Sequence, residues 1–223
     1  MINIAIDGPS GAGKSTVARL AAERLGFIYA DTGALYRAVA LAWTRADGAA
    51  DPSDDEFLSF DAPIVTLEFV DGVQHVFLGG EDISEKIRTP EISQMASKLS
   101  ALPSVRALLL EMQRKLAEEN NVIMDGRDIG SVVLPNANIK IFLTASSEAR
   151  ARRRYDELVL RGITVNYETV LREVNERDER DMNRAIAPAI PAADAELIDT
   201  TDITLEESII VIEKFIRERL EIL

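Results

Sequence analysis

The sequence contains no cysteine, which removes disulfides, zinc–cysteine sites and thiol catalysis from consideration without fixing a compartment. It carries a single histidine, His75, too little for a Ser-His-Asp relay or a histidine-rich metal site. In a predicted strand, His75 reads as an ordinary surface residue. No apolar run is long enough to span a bilayer,. The first predicted strand starts at Ile2, leaving no room for a secretory leader, so a cytoplasmic protein with no membrane partner is expected. Basic charge is also short: 25 Lys and Arg stand against 38 Asp and Glu, a net charge of −13. Affinity for nucleic acid rests largely on neutralising phosphates, so no DNA or RNA partner is expected. Neither internal repeats nor low-complexity segments occur. What remains is an ordinary globular composition, 47% hydrophobic and 28% charged over 223 residues. That length suits one domain with a sizeable insertion, or two small ones.

The strongest positive signal is Gly8-Pro9-Ser10-Gly11-Ala12-Gly13-Lys14-Ser15, followed by Thr16. It fits G-x-x-x-x-G-K-[ST], a loop whose backbone N–H groups cradle phosphates. Its surroundings agree: an apolar, β-branched run at Ile2–Ile6 precedes it, and a helical pattern from Thr16 to Leu25, closed by Gly26, follows. The glycines let the chain turn sharply and approach phosphate oxygens. The helix N-terminus and Lys14 supply positive charge, and the Ser15 hydroxyl can ligate Mg²⁺. The loop is therefore read as a nucleotide-phosphate site.

Further along, a helix is expected from Ala34 to about Arg45, and Ser53 with Glu56 forms a capping box for a short one. Ile64–Val70 and Val73–Leu78 read as a hairpin about Asp71-Gly72, part of an inserted antiparallel subdomain. Helices are expected after Thr89 and from Pro103. Val122–Asp125 is a buried strand ending in a carboxylate, followed by Gly126-Arg127-Asp128, and Asn138–Thr144 is the next strand. Helices at Ser147–Arg161 and Tyr167–Arg184 flank Gly162. Leu197–Asp199 is a last strand, and Thr204 caps a C-terminal helix. This alternation predicts an α/β fold: a parallel sheet wrapped by helices, with ligands at the strand carboxyl ends.

A phosphate loop alone does not separate kinase, ATPase and GTP switch. No lysine sits in an N-K-x-D-type guanine motif, and Asn175-Glu176-Arg177-Asp178 lacks one. Arginines are more informative. Arg37 lies one turn after Gly33, Arg127 follows Asp125, and Arg177, Asp181 and Arg184 share a helix face flanked by Arg180. By periodicity these fit a solvated, salt-bridged face as well as a phosphoryl-transfer site. Such a transition state spreads negative charge that guanidinium groups stabilise bidentately. Arg150, Arg153 and Arg154 face the same choice, with Glu157 close enough to pair.

Across nearly its whole length the sequence resembles the bacterial cytidylate kinases, of the nucleoside monophosphate kinase family of P-loop phosphotransferases. The segments that carry the likeness are IDGPSGAGKST, DTGALYR at Asp31–Arg37 and GEDIS…IRTPEIS at Gly80–Ser93. MDGRDIG at Met124–Gly130, KIFLTASSEARARRR and NERDERDMNRAIAP at Asn175–Pro188 complete it. The resemblance implies ATP-dependent phosphorylation of CMP and dCMP by a single kinase domain with an inserted antiparallel subdomain and a short helical lid. Its core would comprise residues 1–33, 120–145 and 186–223. A monophosphate-binding region would span 34–119, with its hairpin insertion at about 60–83, and the lid with its helices 146–185.

Carried over by position, Thr32, Arg37, Arg127 and Arg177 would surround the acceptor phosphate and sugar. Ser97, Arg106, Asp128 and Arg184 would face the base, and Asp181 the pentose. Lys14, Arg127, Arg177 and Arg180 would serve catalysis, Arg153 and Arg154 would join the loop on ATP, and Ser15 with Asp125 would hold Mg²⁺. The partners implied are nucleotides alone, to a monomer. Ser97 and Arg106 lie on amphipathic helices, where such residues commonly face water, and Asp128 could merely brace Arg127. Another small-molecule kinase, or a regulator that binds ATP but turns over only slowly with any monophosphate, remains open.

Overall fold

The protein, here as a computed structural model, is described over residues 1–221. Its centre is a parallel sheet in the order β2-β6-β1-β7-β8. The strands are β1 (Asn3–Asp7), β2 (Ile28–Asp31), β6 (Val122–Asp125), β7 (Ile139–Thr144) and β8 (Glu196–Asp199). Period-two alternation sorts its side chains. Ile4, Ile6, Ile123, Ile141 and Leu143 pack with α1 (Lys14–Leu25) and α8 (Leu205–Arg219) on one face. Ala5, Val122 and Met124 pack with α5 (Pro103–Glu119) and the segment after β6 on the other. Both faces are covered, which is why these strands read as continuous apolar runs.

The inserted subdomain is a sheet of β3 (Val65–Val70), β4 (Val73–Leu78) and the two-residue β5 (Glu81–Asp82). Asp71 and Gly72 both take positive φ, 51° and 77°, the geometry a two-residue hairpin turn needs. Its buried face packs on α2 (Thr32–Arg45), α3 (Asp54–Leu58) and α4 (Pro90–Leu99) about Trp43, Phe57 and Phe60. Between β7 and β8, helices α6 (Ser147–Leu160) and α7 (Tyr167–Asn183) form a hairpin with its own small core of Ala151, Leu158, Val170 and Val174. Gly162, at φ 75°, makes the bend between them.

The expected architecture is present, with local differences. β2 was not foreseen, and α2 starts at Thr32 rather than Ala34, because the Asp31 carboxylate caps it through Ala34 N–H at 3.0 Å. After β6 the chain forms a π-helical turn at Ile129–Val133. Among the described residues, no helix is long and apolar enough to cross a membrane.

Candidate active site

β1 delivers the chain to the phosphate loop at the carboxyl edge of the sheet. Gly8 sits at φ 142°, and a Cβ there would lie 1.9 Å from the Leu143 carbonyl oxygen of β7, so no side chain fits,. Gly13 caps α1 in the left-handed region without a side-chain hydrogen bond. The first N–H groups of the helix therefore stay available to an anion. Lys14 is buried and donates to the Pro9 carbonyl at 2.7 Å. Burial, and then the charge of Arg127, holds its ammonium well below the usual lysine value.

Behind the loop, Ser15 Oγ donates to Asp125 Oδ2 at 2.8 Å, and the Tyr29 hydroxyl donates to Oδ1 at 2.9 Å. Burial, reinforced by Asp31, pushes the Asp125 carboxyl up to about 6. Thr32 Oγ1 donates to the Asp125 carbonyl at 2.8 Å. The described residues contain no cluster of three or more His, Cys, Asp or Glu side chains able to cage a metal. A hydroxyl beside one carboxylate fits Mg²⁺, a hard ion that takes oxygen ligands and keeps places for water and phosphate.

Beside the loop, arginines from α2, α7 and the segment after β6 gather. Arg37 donates to Asp31 Oδ2 at 2.6 Å, and Arg127 Nε to Asp181 Oδ2 at 3.1 Å. Arg177 Nε lies 3.8 Å from that same carboxylate. Arg180 donates to Ser97 Oγ at 3.1 Å, which itself donates to Asp181 Oδ1 at 3.1 Å. The Nε groups of Arg37 and Arg177 are buried without a hydrogen-bond partner. Burial, followed by the neighbouring charge of Arg127, pulls Arg177 down to about 10. Burial pushes the Asp181 carboxyl up, but Arg127, Arg177 and Arg184 together outweigh it and hold it below the ordinary value.

Asp128 is buried, 5% exposed like Asp181. One carboxylate oxygen pairs with Arg106, and the other accepts from Arg184 at 3.1 Å. Ser100 ties both arginines down: its carbonyl accepts from Arg106 and its hydroxyl from Arg184, each at 3.2 Å. The Arg106 guanidinium also lies 5.8 Å over the Tyr36 ring,. Ser97 and Arg106 are buried, not surface residues of amphipathic helices. Nor does Asp128 brace Arg127, which turns to Asp181 instead. Arg184 leaves the helical face it was expected to share with Arg177, because α7 ends at Asn183 and Arg184 is extended.

On the α6–α7 side, Arg150 is buried and bridges the Ser10 carbonyl at 3.1 Å and Asp178 at 2.5 Å. Arg153 donates to the Thr200 carbonyl at 2.5 Å, and Arg154 pairs with Glu157 at 2.7 Å. His75, on β4, lies 2.9 Å from Asp82.

One carboxylate escaped the sequence reading. Asp7, the last residue of β1, is buried and accepts from Ile129 N–H and Gly130 N–H, each at 2.7 Å. Burial raises it to about 6. Arg114 secures the other end of the π-helical turn, donating to the carbonyls of Val132 and Val133 at 3.0 Å each. A clue was available: a carboxylate closing an otherwise apolar buried strand, as Asp125 closes β6.

A profile of the family described as cytidylate kinase matches residues 4–219. The cytidylate kinase of Pelotomaculum thermopropionicum is 51% identical over 208 residues, covering 92% of this chain and 91% of the relative. That of Carboxydothermus hydrogenoformans is 46% identical over 222 residues, with both chains covered completely. A solved structure of an uncharacterized protein from Eubacterium ventriosum shares the fold, with TM-score 0.55 and 16% identity over 97% of this chain and 98% of that one.

Proposed function

We propose, because this chain belongs to the cytidylate kinase family, a division of labour among its residues for one reaction. That reaction is the ATP-dependent phosphorylation of CMP and dCMP to CDP and dCDP, a nucleoside monophosphate kinase activity. The phosphate loop, Gly8 to Thr16, and Lys14 take the ATP phosphates. Arg37, Arg127 and Arg177 take the acceptor phosphate with Thr32, and Arg180 joins them as charge moves. Asp181 orients the pentose, while Ser97, Arg106, Asp128 and Arg184 read the base. The acceptor phosphate is already an anionic nucleophile, so no general base is required. Positioning and charge stabilisation carry the step.

Ser15 and Asp125 would hold Mg²⁺, which when bound neutralises charge on the phosphates. Arg153 and Arg154 belong to the helix that lid closure would bring over ATP, and closure excludes water. In this reading the core comprises residues 1–33, 120–145 and 186–223, the monophosphate region 34–119 and the lid with its helices 146–185, and the protein acts as a monomer.

The observation that carries this reading is the crowd of incompletely paired arginines beside the phosphate loop, next to a base end whose charges are fully paired. Coupled assay of ATP consumption against CMP, dCMP, UMP and AMP tests it. Preference for CMP and dCMP is expected. Equal turnover of all four would overturn the base assignment, and ATP binding without turnover of any would overturn the kinase reading.

A further inference from the structure

β2 is an outer strand: it pairs with β6 on one side, and its other edge has no partner strand in the main sheet. At Asp31, that open edge is closed by a side chain from the inserted hairpin. Gln74 Oε1 accepts from Asp31 N–H at 2.9 Å, and Gln74 Nε2 donates to the Asp31 carbonyl at 3.2 Å. A primary amide carries one acceptor and donors much as a peptide unit does. Gln74 thus adds a single rung of strand pairing where the backbone would otherwise stop being held.

Two facts mark the rung as more than a chance surface contact. Gln74, Val76 and Leu78 share one face of β4 by period two, and Val76 and Leu78 are core residues packed against the α2 region,. Gln74 is the polar member of that face, and its amide is used on Asp31. Asp31 is also where β2 turns into α2, and its carboxylate does two further things. One oxygen caps α2 at Ala34, and the other accepts from Arg37 at 2.6 Å. The Arg37 Nε remains buried and unpartnered.

We infer that Gln74 is a positioning residue for the acceptor phosphate: the inserted hairpin holds the Asp31 backbone, and Asp31 in turn aims Arg37. The inference rests on the reading of Arg37 as an acceptor-phosphate ligand. The insertion thereby acts on the reaction without touching a substrate.

Replacing Gln74 with Leu keeps bulk on the hairpin and removes the rung. Loss of two neutral hydrogen bonds corresponds to about a tenfold rise in KM for CMP. KM for ATP should stay within twofold, with kcat at saturating CMP little changed. Gln74→Glu keeps the acceptor and loses the donor, so its KM for CMP should fall between Leu and wild type. In an Arg37→Ala background, Gln74→Leu should add nothing further, because both act through one group. A KM for CMP unchanged by Gln74→Leu, or one raised together with that for ATP, overturns the inference. So does an effect of Gln74→Leu that persists in full without Arg37. If Arg37→Ala itself leaves KM for CMP unchanged, the assignment of Arg37 fails, and the inference with it.

Discussion

The two ends of the proposed acceptor site are built on opposite electrostatic plans. At the base end, Asp128 is sandwiched between Arg106 and Arg184, and Ser100 anchors both guanidiniums. At the phosphate end, Lys14, Arg37, Arg127, Arg177 and Arg180 crowd together, and Arg177 and Lys14 are pulled below their ordinary values by burial and by like charge. A neutral base needs a rigid pattern of donors and acceptors, which pairing in advance supplies. A phosphate brings its own charge, so its site can remain short of anions until ligand arrives. The contrast divides the work: the base end should govern which substrate is used, and the phosphate end how tightly its phosphate is held and how fast it reacts.

The strongest break in that contrast is Lys14→Ala. Removing a charge that matters most as the phosphoryl group leaves should lower kcat by about a thousandfold in a folded protein, without changing the preference for CMP over UMP. A folded variant with near-normal turnover removes Lys14 from the mechanism. Next comes Asp128. Cytosine offers an amino donor and two acceptors, whereas uracil reverses two of the three, so UMP would set a carbonyl against a carboxylate and an N–H against a guanidinium. Each mispaired buried group costs about 1–3 kcal/mol, and CMP should exceed UMP about a hundredfold in kcat/KM. Asp128→Ala should collapse the ratio chiefly by harming CMP, with Asp128→Asn as the variant that retains bulk. A ratio that survives in both would assign base choice elsewhere.

Asp7 feels the charge of Asp128 at one end and of Lys14 at the other, and its titration sharpens the comparison. Its folded value is raised to about 6 from an ordinary 3.8, so the folded state holds a proton that the unfolded chain has released. That contribution stabilises the fold at low pH and is lost as pH rises through about 6. Asp7→Asn should therefore gain on wild type by about 2 kcal/mol between pH 4.5 and pH 7 in ligand-free denaturation. A constant difference across that range would mean that Asp7 ionises freely.

The smallest effect expected concerns the proposed lid, the α6–α7 hairpin, whose own core is four buried side chains, far fewer than the set that fixes the antiparallel subdomain. ATP and CMP together should protect the amides of α6 and α7 from exchange more than either ligand alone. Equal protection in all states would argue for a rigid hairpin.

Much of this was legible in the sequence because it is local. The phosphate loop has a fixed spacing, the hairpin is announced by Asp71-Gly72, and the caps at Ser53, Thr89 and Thr204 lie where their helices begin. β2 was not legible, since a four-residue edge strand ending in Asp is defined by its parallel register with β6, far away in the chain. Ser97 and Arg106 looked like surface residues because helical periodicity does not show that Asp181 and Asp128 supply buried partners. The π-helical turn has no sequence period of its own, and Asp7 looks like the tail of a strand until Ile129 and Gly130 are placed against it.

That turn has a consequence for how the specificity of the site could change. Val133 N–H reaches back to the Asp128 carbonyl and Leu134 N–H to that of Ile129, at 3.2 Å and 2.7 Å. Each loop closes over five residues where an α-turn closes over four. One extra residue is thus wound into the backbone directly behind Asp128, with Asp7 gripping its start and Arg114 its end. Deleting a single position from 129–133 would let the segment relax to an ordinary turn and rotate Asp128 relative to β6, even with every named side chain of the base end still present. Grafting those side chains onto a kinase of shorter segment would meet the same obstacle. With Asp128 reading the base as proposed, the length of this segment becomes a determinant of substrate choice that a comparison of residue identities alone would miss.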